Sequence, residues 1–131
     1  MKKLFLILIC LFVSFEVRSE SDDLSGKKLF CDNNYNIHGF EFLNNFKVKH
    51  IIFYKKDGSP METEILNYET TNTRIEISGG KRGYIDRMTL GRLNYSLNKY
   101  GSCQIFTGDL ELLLNKKRNE IVNKLKSKQK I

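Results

Sequence analysis

The sequence predicts a mainly β fold, an antiparallel meander forming a small barrel or strongly curled sheet, followed by a C-terminal amphipathic α-helix. Three observations carry that prediction. From Lys27 to Phe106, short alternating apolar runs recur between turn residues, as they do in antiparallel sheets. Nine Phe, six Tyr and one Pro in 131 residues describe a packed chain rather than a disordered one. Beyond Phe106 the apolar spacing becomes helical.

Residues 1–19 read as a signal peptide. Met1, Lys2 and Lys3 are a basic start, Leu4 to Val13 is unbroken apolar sequence, and Glu16 and Arg18 close it. The run is shorter than the about 20 apolar residues a membrane span needs. Val17-Arg18-Ser19 places a small residue directly before the expected cut between Ser19 and Glu20. The mature chain is then exported, to the periplasm or beyond; retention of the leader as an anchor is the alternative. Cys10 lies within the apolar run and lacks the small residue before it that a lipid-attachment signal requires.

Cleavage leaves two cysteines, Cys31 and Cys103. In an oxidising compartment an even pair favours a disulfide, and only one internal pairing exists. Closing so long a loop contributes about 4 kcal/mol in the chain-entropy model, comparable to the net stability of a small domain.

Lys27 to Cys31 is the first strand, after the loop SDDLSG. His38 to Leu43 is the second, and Asn44-Asn45 offers a two-residue hairpin turn because Asn tolerates positive φ. Phe46 to Tyr54 returns, with Phe46, Val48, Ile52 and Tyr54 on one face and Lys47 and Lys49 on the other. Lys55 to Pro60 carries Asp57-Gly58, the strongest turn signal in the chain. Glu62 to Tyr68 and Arg74 to Ser78 pair across Glu69 to Thr73. The loop Gly79 to Gly83 leads to Tyr84 to Leu90, Gly91-Arg92 turns the chain into Leu93 to Leu97, and Ser102 to Phe106 is the last strand. Eight such runs point to closure. In an up-and-down barrel the first and last strands are neighbours, so a Cys31 to Cys103 bridge would seal the seam and remove both exposed edges. In a half-open sheet packed on the terminal helix, the alternative, it would link facing parts of the sheet.

Thr107-Gly108-Asp109 caps a helix running from Asp109 to about Lys126, with Asp109 and Glu111 at its positive end and lysines at the other. Leu110, Leu114, Ile121 and Leu125 form its apolar stripe, widened by Leu113 and Val122. Lys128 to Ile131 frays. The domain plan is therefore a leader (1–19), a β domain (20–107) and a basic helix and tail (108–131).

Net charge is +7, unevenly spread: residues 20–107 hold 12 basic and 11 acidic side chains. From Asn115 onward Lys116, Lys117, Arg118, Lys124, Lys126, Lys128 and Lys130 face Glu120 alone. Those seven are the expected contact for an anionic envelope surface or an acidic partner. The plainer reading packs the stripe over the barrel mouth and leaves the lysines in water.

Little chemistry is foreshadowed. His38 and His50 have no partners at metal-ligand spacing and read as packing or surface residues. Gly79 to Gly83 lacks the spacing and following helix of a phosphate loop and reads as a cationic hairpin turn. Asp32, Glu41, Glu62, Glu64, Glu76 and Asp86 alternate with apolar residues, as on solvated strand faces. An oxidised Cys103 supplies no thiolate nucleophile. No catalytic, cofactor-binding or metal residue is assigned, and an exported chain without a basic, aromatic-studded body is not expected to bind nucleic acid.

Leu24-Ser25-Gly26 leading into a first strand, the meander and the C-terminal helix together resemble the small lipocalin-like barrels and, more loosely, small secreted bacterial proteins. The likeness spans about residues 24–126 and is one of fold. Lys27-Lys28 follows Gly26 where lipocalins carry Gly-x-Trp. It implies a small apolar ligand in the barrel mouth. The leading expectation is a non-catalytic binding or envelope-associated protein taking such a ligand or an acidic partner. The alternatives are a small periplasmic hydrolase-like enzyme using strand carboxylates and a membrane-surface protein acting through the helix. An apolar pocket favours the first, and paired carboxylates in a cleft the second.

Overall fold

A computed structural model describes residues 21–129. The expected leader, its cut site and Lys130 lie outside the described residues. Eight antiparallel strands close a barrel in simple sequence order: β1 (Lys28–Asn33), β2 (Asn36–Phe42), β3 (Lys47–Tyr54), β4 (Glu62–Thr70), β5 (Arg74–Ile77), β6 (Tyr84–Asp86), β7 (Gly91–Leu93) and β8 (Lys99–Ile105). Helix α1 (Leu110–Lys128) follows. The mainly β class and its closed form stand as expected.

The seam forms as anticipated. Cys31 is the register partner of Cys103 on β8, and the two are joined by a disulfide. Alternation then sorts side chains into two dry layers. Inside the barrel, Leu29, Cys31, Phe40, Phe42, Val48, Tyr68, Ile75, Ile77 and Ile85 make the main core. Outside it, Phe30, Ile37, Ile51 and Phe53 are buried beneath Leu110 and Leu114 of α1.

The helix position corrects one expectation. Its stripe does not cover the mouth but lies along the outer wall of β1 to β3, because odd positions of β3 carry Ile51 and Phe53 and require cover. Asp109 caps it as predicted, its carboxylate accepting from the Leu112 amide at 3.0 Å. Gly39 on β2 lets α1 come close: a Cβ there would sit 2.7 Å from Leu110 Cδ2.

Other corrections are local. The left-handed pair of the β2–β3 turn is Asn45-Phe46, with φ of 58° and 56°, so Phe46 leaves the strand face it was assigned. Tyr84 to Leu90 is strand only as far as Asp86, whose carboxylate accepts from the amides of Met88 and Thr89 and turns the chain at once. Gly91-Arg92, expected as a turn, is instead β7. The return strand predicted over Leu93 to Leu97 ends at Leu93, since Asn94 Oδ1 accepts from the amides of Ser96 and Asn98 and makes the next turn.

Candidate functional site

Barrel closure leaves two ends with opposite chemistry. At one, β1 begins and β2 and β8 finish. The segment before β1 folds across it: the Leu24 amide donates to the Tyr68 hydroxyl at 2.9 Å, and the Asp22 amide to Thr70 Oγ1 at 2.6 Å. A cavity of about 410 Å³ opens there, with Leu24, Leu29, Phe42, Ile75, Leu90 and Phe106 among its walls. Lys27, Lys28 and Arg87 stand at its edge, and among the described residues no acidic side chain lines it. Arg87 is held by Asp22 at 2.8 Å and by the Thr71 carbonyl at 2.7 Å. An apolar cleft with a cationic edge can bury a hydrocarbon group and leave a polar end in water.

At the other end the interior turns polar. His38 and His50 sit diagonally on neighbouring strands, and His38 Nδ1 meets His50 Nε2 at 2.9 Å. His50 stacks on Phe40, ring centroids 4.7 Å apart. Arg92 reaches in from β7, is 3% exposed, and donates through its terminal nitrogens to the carbonyls of Tyr84 (3.1 Å) and Arg82 (2.9 Å). Its guanidinium lies 5.1 Å from the Phe40 ring centroid and 5.4 Å from that of Tyr100. Glu64 stands at the edge, 3.1 Å from Arg82 and 3.6 Å from His50 Nδ1, the latter beyond hydrogen-bond reach.

Burial, and then the nearby Arg92 charge, holds His38 well below the ordinary histidine value of 6.5. The same two causes push His50 down to about 4, against an opposing pull from Glu64. Both rings are therefore neutral at pH 7, and one donates to the other. Among the described residues, no group of three or more His, Cys, Asp or Glu side chains sits together as a metal-ligand set.

The carboxylates considered from sequence do not gather in a cleft. Asp32 pairs with Lys55 at 2.6 Å on the outer surface, Asp86 holds its turn, and Glu64 serves Arg82. The cations of α1 divide. Lys116, Lys124, Lys126 and Lys128 are exposed and Lys117 is half-buried, whereas Arg118 Nε donates to the Ser59 carbonyl at 2.7 Å and ties the helix to the β3–β4 loop. Among the described residues no helix is long and apolar enough to cross a membrane.

The polar end is what sequence reasoning missed. The Asn44-Asn45 turn expected from sequence would set His38 opposite position 51 and send His50 to the other face; the observed register, His38 with Ile52 and Phe40 with His50, brings both rings to one face. Arg92 gave no signal, since a Gly-Arg pair between short runs reads as a turn. A scan against protein-family models, a search of curated proteins and a search of solved structures each returned no match.

Proposed function

We propose that this is an exported, non-catalytic binding protein that holds a small apolar ligand in the cleft at the end of its barrel where β1 begins, as lipocalin-like barrels hold theirs in the barrel mouth. The observation that carries the reading is the cavity of about 410 Å³ walled by Leu24, Leu29, Phe42, Ile75, Leu90 and Phe106, with lysines at its edge and, among the described residues, no acidic group in its lining. Such a site suits an apolar body bearing a polar or anionic end. The disulfide supports export, since bridges of this kind persist in oxidising compartments. Dispersal of the strand carboxylates weighs against the hydrolase alternative. For the membrane-surface alternative, Leu110 and Leu114 are spent on the barrel wall, which leaves lysines rather than an apolar face for lipid.

The test is saturable binding of an environment-sensitive apolar dye such as anilinonaphthalene sulfonate to the folded protein. Ile105 lines the cavity yet is 73% exposed, so Ile105→Glu places a charge in the site without burdening the core. One-to-one binding in the parent, lost in that variant, supports the reading. Absence of saturable binding to the parent overturns it.

A further inference from the structure

The polar end of the barrel holds a feature the apolar cleft does not explain. Arg92 is a buried cation, and among the described residues no carboxylate forms an ion pair with it. Among the described residues its two hydrogen-bond partners are neutral carbonyls, and its Nε–H has no partner. His38 Nε2, also fully buried, is likewise unpartnered, as is His50 Nδ1. Burying a charge without a counterion is costly, and native interiors almost always satisfy such groups. All three side chains border one cavity of about 160 Å³, whose other walls include Ile52, Leu66 and Ile77.

The geometry points to a second binding site here, for a small aliphatic carboxylate, its anionic group taken by Arg92 and His38 and its short tail laid against Ile52, Leu66 and Ile77. The cavity equals roughly five water volumes, the size of an acid of about three to five carbons. A guanidinium presents parallel N–H groups that match a planar carboxylate. The histidine pair can adapt without any net proton change. When His50 Nε2–H donates to His38 Nδ1, the His38 proton sits on Nε2 and is free to donate to the anion. Glu64 turns Oε2 to Arg82 at 3.1 Å and holds Oε1 3.6 Å from His50 Nδ1, outside hydrogen-bond reach, so it does not fix the proton at that nitrogen. The aromatic faces of Phe40 and Tyr100 hold the guanidinium in place for either state. This site is independent of the apolar cleft at the opposite end.

The experiment titrates butyrate into the full oxidised protein, with chloride and sulfate as controls, and reads the imidazole nitrogens of His38 and His50 by NMR alongside calorimetry. Saturable butyrate binding with shifts at both imidazoles, not reproduced by chloride or sulfate, is the expected result. Arg92→Gln weakens it roughly tenfold to hundredfold, and Arg92→Lys recovers part of the loss. Unmoved imidazoles in the parent protein, or an equal response to chloride, overturn the proposal even if the Arg92 variants do not fold. Ile105→Glu, which blocks the other cleft, leaves butyrate binding unchanged, so failure of either site is seen separately.

Discussion

Cys103 stands directly across from Cys31 on the strand that closes the barrel, their Cα atoms 4.0 Å apart and their sulfurs joined. The bond spans 72 residues of sequence, and closing that loop in the unfolded chain contributes about 4 kcal/mol. Replacing both cysteines by alanine, or adding reductant, lowers the melting temperature by about 15 °C or more. Thermal unfolding with and without reductant checks this. Intact mass after alkylation shows both thiols protected until reduction.

Acid destabilises the fold through the histidine pair. An unfolded histidine takes up its proton near pH 6.5, whereas folded His50 resists to about 4 and His38 is depressed well below its ordinary value. Between those limits the unfolded chain holds more protons, so stability falls as pH drops, by about 1.4 kcal/mol per pH unit for each histidine. Above pH 6.5 the contribution is complete. Denaturant midpoints from pH 7 to 4 follow that slope, and a His38→Gln, His50→Gln variant flattens it.

The helix seat depends on a close approach. At Gly39 a Cβ would stand 2.7 Å from Leu110 Cδ2, so Gly39→Val costs about 1–3 kcal/mol by overpacking. Leu114 is fully buried against the wall, and Leu114→Ala costs about 2–5 kcal/mol. Urea unfolding gives both values. Limited proteolysis of these variants cuts within α1 first if the helix detaches before the barrel opens.

Arg118 differs from the lysines around it. Removing its tie to the Ser59 carbonyl in Arg118→Ala costs about 1 kcal/mol, while Lys116→Ala or Lys124→Ala at exposed positions stays within about 0.5 kcal/mol. The same urea titrations separate the two classes.

How much of this was legible in the sequence depended on which force set each feature. The barrel, the seam and the helix cap follow from alternation, cysteine pairing and Asp109, all of which act locally or over the whole pattern. The last two hairpins were misplaced by several residues because Asp86 and Asn94 impose turns through side-chain bonds to the amides of Met88, Thr89, Ser96 and Asn98. Tyr84 to Leu90 reads as a strand by hydropathy, and nothing in composition announces the Asp86 turn. Arg92 was legible least of all: a charged residue inside a barrel contradicts the burial pattern that strand reading relies on, and only closure of β7 onto β8 puts it there. His38 and His50 each look alone in the sequence, and become a pair only once the turn at Asn45-Phe46 fixes the register.

The Cys31 to Cys103 bond decides how the chain responds to a peptidase. The segment from Cys31 to Cys103 carries the end of β1, all of β2 to β7 and most of β8 within one covalent ring, while the segment before β1 and the whole of α1 hang outside it. A single cut in any loop within the ring, such as Lys55–Pro60 or Gly79–Gly83, leaves both pieces tied and still paired along the sheet. A cut in α1 sheds the piece beyond it. The molecule thus has a part that survives nicking and a part that can be trimmed away.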